Sequence, residues 1–430
     1  MKKLLSLIEY AFTVVSLLLY SGGPLTVILS GGANEGDEDG EAGGDTALIL
    51  ALFFVNYLIT FVLLLLRWRK VLYIINKNRW ITTLIAIAAC SVFWSYLPSK
   101  TISRAIAIVG TSLFGLYLAS RYSMKQQLKL FGLMYCISVF MSFAFIVALP
   151  KYGIMAGLHE GKWRGIYTHK NVLGKVMSPG VIIFMLLAIS NSTKRWFFWL
   201  VFLLSLVLLI RSGSTSSLLN TVILIAAVFA YRIFRWHDEW MVPSFIAIAA
   251  ISGSLSILLS KGSELFLTAL GKDTTLTGRG DMWPYIFEMI WQSPWLGYGY
   301  GAFWFGSETP SFYIWQATGW TPPNSHNGFL DLWLNLGLLG LILFAFEFFV
   351  ITLPKTLVWV RKSQSSEGFW PILYVTYLIL GNLSESTLMI QNDIFWVFYV
   401  AIAFSVQIKP EYQPNFLMLD YKSNNKYSSI

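Results

Sequence analysis

Thr46-Ala-Leu-Ile-Leu-Ala-Leu-Phe-Phe-Val-Asn-Tyr-Leu-Ile-Thr-Phe-Val-Leu-Leu-Leu-Leu66 runs for 21 residues without one charged side chain. A hydrocarbon core about 30 Å thick takes about 20 helical residues to cross. Lipid offers no partner to an unpaired backbone group, and the run is too long for a barrel strand, so it reads as a transmembrane helix. Similar runs lie on both sides of it, giving candidates at 4–20, 46–66, 80–97, 101–120, 128–149, 172–190, 196–211, 214–231, 241–260, 327–351, 370–389 and 393–408. The expected fold is all-α: a polytopic membrane helix bundle of about 12 transmembrane helices forming a single integral-membrane domain over 1–430. Composition agrees. The chain is 56% hydrophobic and 12% charged, and a soluble protein carries about twice that charge.

Met1-Lys-Lys ahead of an apolar run resembles a signal peptide, but Tyr20-Ser-Gly-Gly-Pro24 is a poor cleavage site, so the segment is expected to stay as the first helix. Cys90 and Cys136 sit inside apolar runs and suit packing better than a disulfide or a metal site. The net charge of +9 is explained by basic cytoplasmic loops rather than by nucleic acid. With the N-terminus inside, Arg67, Arg69, Lys70, Lys77, Arg79, Arg121, Lys125, Lys129, Lys194, Arg195, Arg232, Arg235, Lys355, Arg361 and Lys362 fall on the cytoplasmic side. Together with both termini, they account for twenty of the thirty-one basic residues. The outer loop 21–45 is acidic and Gly-rich. Its Asp37-Glu-Asp39 mimics the Asp-x-Asp of metal-dependent glycosyltransferases, but in a floppy tract it is not expected to hold a metal. Residues 409–430 form a cytoplasmic tail.

The outer cations are concentrated. Lys162, Arg164, Lys170 and Lys175 lie between the fifth and sixth candidates, Arg211 ends the seventh, and Lys272 and Arg279 lie in the long outer loop 261–326. Cations placed against the inside bias need another reason, and a bound anion supplies one; pairing with headgroups or with Glu160, Asp273 or Glu308 is the alternative. Asn171 suits the start of a helix, whose free N–H groups favour an anion. His169 is either a donor facing a ligand or an interfacial ring satisfied by backbone. After Arg211, five of six residues are Ser or Thr, which suits close helix packing. In Thr277-Gly-Arg279-Gly-Asp281-Met-Trp-Pro284, Asp281 caps, and Met282, Ile286, Met289 and Ile290 recur at helical spacing, so an interfacial helix is expected with Arg279 at its positive end. From 281 to 320 there are fourteen aromatics, six of them Trp, which suits a membrane belt or a carbohydrate groove. His326 stands where this loop re-enters an apolar helix. A neutral imidazole among cations is a competent base.

Arg164-Gly with His169-Lys-Asn-Val-Leu-Gly174, then Thr277-Gly-Arg279 with Pro294-Trp-Leu-Gly-Tyr-Gly299, then Ser325-His-Asn-Gly-Phe-Leu330 with Gly337-Leu-Leu-Gly340, occur in that order. Together they resemble the O-antigen ligase and polysaccharide polymerase (Wzy-type) family, and the His-Lys-Asn form is similar to its exopolysaccharide polymerase branch. The motif-bearing core spans 160–350; the flanking helices match only in layout. The resemblance implies a metal-independent inverting glycosyltransferase with no cofactor. It implies a multi-pass protein of the bacterial cytoplasmic (inner) membrane, both termini cytoplasmic, its active site on the periplasmic face. The donor would be an undecaprenyl-pyrophosphate-linked glycan. The acceptor would be another lipid-linked glycan for a polymerase, or lipid A core for a ligase. Flippase and chain-length regulator proteins would be partners, and nucleic acid would not.

By carry-over, His326 deprotonates the acceptor and Arg279 holds the leaving pyrophosphate, with Arg164 and Lys170 beside it and His169 and Asn327 in support. The family often has Ser-Arg at the start of the helix after the seventh span. Here Thr215 follows Ser214, and Arg211, one turn earlier, is the expected substitute. Glu385, in Asn382-Leu-Ser-Glu385-Ser, resembles a late acidic position that pairs with an Arg or steadies His326. A transporter is the rival class, but the chain has no convincing inverted repeat and no matching pair of broken helices.

Overall fold

The computed structural model describes residues 2–29, 46–234, 279–363 and 365–408, with isolated positions between 243 and 254. The candidate helix at 241–260, the loop at 30–45, residues 261–278 and the tail 409–430 lie outside them. Among the described residues the helices are α1 (Lys2–Tyr20), α2 (Leu25–Leu29), α3 (Thr46–Leu65), α4 (Trp68–Lys77), α5 (Arg79–Cys90), α6 (Pro98–Arg121), α7 (Met124–Ala148), α8 (Pro150–Gly153), α9 (Lys170–Ser190), α10 (Arg195–Ser212), α11 (Thr215–Phe234), α12 (Arg279–Gln292), α13 (Ser311–Thr318), α14 (Gly328–Phe346), α15 (Leu353–Lys362), α16 (Trp370–Asn382) and α17 (Ile394–Ser405). A π-helical turn, Glu347–Thr352, joins α14 to α15. The chain is an all-α polytopic membrane bundle, with seven described helices long and apolar enough to cross a membrane.

The chain's own caps set several boundaries. Asn78 accepts the Ile81 N–H ahead of α5, and Gln126 returns its side chain to the Ser123 N–H ahead of α7. Gly213, at φ 66°, closes α10 in the left-handed conformation. Helix α9 is central: 83% of its apolar window is buried, against 22% for α3, and it packs on α7, α10, α11 and α16. At one end of the bundle Glu9 binds Arg67 at 2.6 Å and Arg121 at 3.1 Å. At the other end, α6 begins beside the aromatic loop, where the Tyr96 N–H donates to Tyr298 O at 2.9 Å.

Four of the expected spans take a different form. The stretch expected at 80–97 contracts to α5, of 12 residues, and a 3-10 turn at Ser91–Phe93. The stretch expected at 327–351 continues as a 35-residue run to Lys362. An unbroken helix of that length, about 52 Å, would far exceed the hydrocarbon core. The run breaks at Gly337, φ 66° and ψ −168°. Residues 294–299 insert at the break. Leu338 and Leu339 donate to the carbonyls of Pro294 (2.8 Å) and Trp295 (3.2 Å), while Leu334 and Asn335 accept from Tyr298 (2.8 Å) and Gly299 (3.0 Å). The inserted segment thus supplies the partners that the broken helix lacks, as backbone near lipid requires. A Cβ at Gly337 would lie 2.2 Å from the Trp295 carbonyl, so the position has no room for a side chain. The stretches expected at 370–389 and 393–408 contract to α16 and α17, of 13 and 12 residues. Each is under about 20 Å long and falls short of a full crossing. An irregular stretch, 383–393, joins them and carries Glu385.

Candidate active site

His326 sits in a turn that several neighbours fix. Its N–H donates to Asn324 Oδ1 at 2.9 Å; the Ser325 hydroxyl donates to Asn327 O at 2.7 Å; and the Trp283 indole donates to Ser325 O at 3.1 Å. His326 takes a left-handed backbone, φ 51°, which His adopts more readily than most residues with a side chain. Its half-buried ring stacks on Trp320, centroids 6.3 Å apart and planes 22° apart. Asn327 caps α14, accepting from Phe329 at 3.0 Å and Leu330 at 3.2 Å. Gly328 is needed for close approach: its N–H donates to Glu385 O at 3.2 Å, and a Cβ there would lie 1.9 Å from Asn382 Oδ1.

The turn after α16 is equally determined. Asn382 Oδ1 accepts from Thr387 and Leu388 at 2.8 and 2.9 Å, and its amide donates to Leu378 O and Thr387 Oγ1. Buried Glu385 pairs with Lys175 Nζ at 3.6 Å, reaching the second turn of α9. At the start of α9, His169 Nδ1 accepts the Asn171 N–H at 3.2 Å, so the neutral ring carries its proton on Nε2. The His159 ring meets it edge-on at 5.5 Å. Burial first, then the Lys170 and His159 charges, lowers the His169 pKa to about 4. Lys170 Nζ donates to Asn171 Oδ1 at 3.2 Å.

The other cations divide. Arg164 is 3% exposed. Its guanidinium donates to the carbonyls of Tyr152 (2.9 Å), Lys151 (2.8 Å) and Thr168 (3.3 Å), so it staples the loop that leads into His169. Arg211 is exposed, with its guanidinium 5.0 Å from the Trp163 ring centroid and its carbonyl accepting the Trp163 N–H at 3.1 Å. Beyond it Ser214 closes on Gly174, where a Cβ would lie 2.5 Å from the serine Cβ. Arg279 is the first residue of α12, one turn ahead of Trp283; its side chain lies outside the described residues.

A continuous series of contacts therefore runs from the Arg211 turn to Trp163 and α9, from Lys175 to Glu385, and from Gly328 through the His326 turn to Trp283. The separate motif stretches meet at one end of the bundle. Three features add to the sequence reading. Asp331 is a buried carboxylate one turn into α14; its signal was an acid inside an apolar helix. Lys100 and Arg104 flank the Phe305 ring, at 4.1 and 4.7 Å. Lys175 has a definite carboxylate partner. Among the described residues no three His, Cys, Asp or Glu side chains are grouped to hold a metal ion.

Residues 200–345 match the family model described as O-antigen ligase. The stretch contains Arg211, Arg279, His326 and Asn327, and leaves out His169, Lys170 and Glu385. The chain is also 26% identical over 328 residues to the exopolysaccharide production protein ExoQ of Rhizobium meliloti (strain 1021), covering 70% of this chain and 74% of that protein. The motif order, the helix bundle and these two likenesses agree: the chain is a multi-pass membrane protein whose residues 200–345 match the O-antigen ligase family model and which is similar over most of its length to an exopolysaccharide production protein.

Proposed function

We propose that the protein is an inverting glycosyltransferase that polymerises a lipid-linked glycan at the outer face of the bacterial cytoplasmic membrane. The observation that carries the reading is the His326 turn. It is bonded on one side to Trp283, at the head of the helix that Arg279 opens, and on the other to the Glu385 turn that Lys175 holds.

In the proposed reaction His326 removes the proton of an acceptor sugar hydroxyl. That oxygen bonds to the anomeric carbon of the donor, and the bond from this carbon to undecaprenyl pyrophosphate breaks with inversion. The donor arrives activated, so no nucleotide is required. Arg279, with Lys170 and Arg211, stabilises the charge that grows on the leaving pyrophosphate. Preorganised cations contribute several kcal/mol there, and a positioned base adds about 10²–10⁴-fold. His169, held neutral, offers an N–H to the same anion. Arg164 acts by shaping the loop that presents it.

The relative's link to exopolysaccharide production favours polymerisation; the family model's description as O-antigen ligase favours transfer to lipid A core as the second reading. The test is the purified chain in vesicles with undecaprenyl-pyrophosphate-linked glycan, with and without lipid A core. Longer glycans on the lipid carrier are expected. Glycan on lipid A core supports ligation, and solute uptake without transfer rejects both.

A further inference from the structure

Asp331 lies in α14, and its side chain is almost fully buried at 6% exposure. Its Oδ1 accepts the Ser325 N–H at 3.1 Å and the Trp304 indole N–H at 2.9 Å, and its Oδ2 accepts the Ser386 hydroxyl. All three neighbours donate, the pattern that suits an ionised carboxylate. Burying such a group in an apolar helix is costly. Capping does not account for it, because Asn327 already accepts the first N–H groups of α14. What the three bonds share is their place. Ser325 precedes His326, Ser386 follows Glu385, and Trp304 belongs to the aromatic loop. The other charged groups along this contact series are Glu385 and Lys175, which offset each other as a pair, Lys170 and Arg211 further along it, and Arg279, which opens α12.

We propose that Asp331 is a positioning residue for His326: it locks the Ser325–His326 turn against the Glu385 turn and the aromatic loop, and sets a fixed negative charge beside the imidazole as it takes the acceptor's proton. The inference rests on the glycosyl-transfer reading for its catalytic part, and its electrostatic part is measurable without any glycan. A nearby negative charge favours the imidazolium.

The chain has four histidines, few enough for imidazole NMR of the full chain in lipid nanodiscs, with His326 assigned by its loss in His326→Gln. Asp331→Asn keeps the shape and removes the charge. Its expected effects are a His326 titration midpoint lower by about 0.5–1 unit, kcat for transfer down about 10–100-fold, and a KM for the lipid-linked glycan within about twofold. Asp331→Glu, with the charge on a longer arm, is expected to keep the midpoint and recover only part of kcat. An unchanged midpoint in Asp331→Asn overturns the electrostatic role, and wild-type kcat in both variants overturns the positioning role. Should Asp331→Asn fail to fold, Ser386→Ala removes one donor and leaves the carboxylate. A kcat lower by about 3–10-fold is expected, and an unchanged kcat overturns the proposal. Full activity in His326→Ala would instead remove the base assignment on which the catalytic part rests, and no transfer by the wild-type protein would remove the transfer reading itself.

Discussion

The site's histidines are assigned different work by their partners. His169 has its Nδ1 engaged by the Asn171 N–H, and burial beside Lys170 and His159 lowers its pKa to about 4. An unfolded histidine takes up a proton near pH 6.5, whereas the folded His169 does so only near pH 4. Its contribution to stability is therefore present above about pH 6.5 and is lost as pH falls from there towards 4. By NMR its ring is expected to show no titration between pH 8 and 5; a midpoint near 6.5 would contradict the packing described for it. Arg279 serves the donor in this account. Arg279→Ala is expected to lower kcat/KM for lipid-linked donor by about 10²–10³-fold; an unchanged rate at subsaturating donor would reject its role. Arg164 shows what sequence could not reveal. Its place in the motif was legible, but its carbonyl partners are Lys151 and Tyr152, thirteen and twelve positions earlier in α8, and Thr168, four positions later, and only the fold brings these together.

At the scale of elements, the uncharged runs announced their helices because lipid permits little else. Eleven of the twelve candidate stretches are helical in the described residues, and the other, 241–260, lies outside them. The break in α14 was not legible, although Gly337 was visible. Its meaning depends on residues 294–299, some forty positions earlier, which bond to both sides of it. The shortening of α16 was partly legible, since Ser384-Glu-Ser-Thr387 interrupts the apolar run; what the sequence did not show is that Asn382 ends the helix by taking the N–H groups of Thr387 and Leu388. Gly337→Ala tests the element directly. A methyl group there meets both a left-handed backbone and the Trp295 carbonyl. A loss of about 1–3 kcal/mol is expected, read as a lower midpoint of thermal unfolding in detergent. An unaltered midpoint would mean that residues 294–299 are not seated at the break.

Over the whole molecule, the polar ends do different things. One holds Glu9 between Arg67 and Arg121 and ties α1 to the turn between α3 and α4 and to α6. The other gathers the motif stretches through single bonds and one ion pair, with the aromatic loop above them. That His326 and the α9 stretch share one face was expected from the topology, and their roles in one site from family likeness. Nothing in spacing predicts that Glu385 reaches Lys175, because the irregular stretch that carries Glu385 meets α9 only in the folded bundle. The central claim is that acceptor deprotonation happens at His326. It is tested most directly by transfer from undecaprenyl-pyrophosphate-linked glycan in vesicles holding equal amounts of wild-type and His326→Ala protein. The account predicts a loss of about 10²–10⁴-fold with insertion and thermal stability retained. Transfer by the variant at the wild-type rate would contradict it.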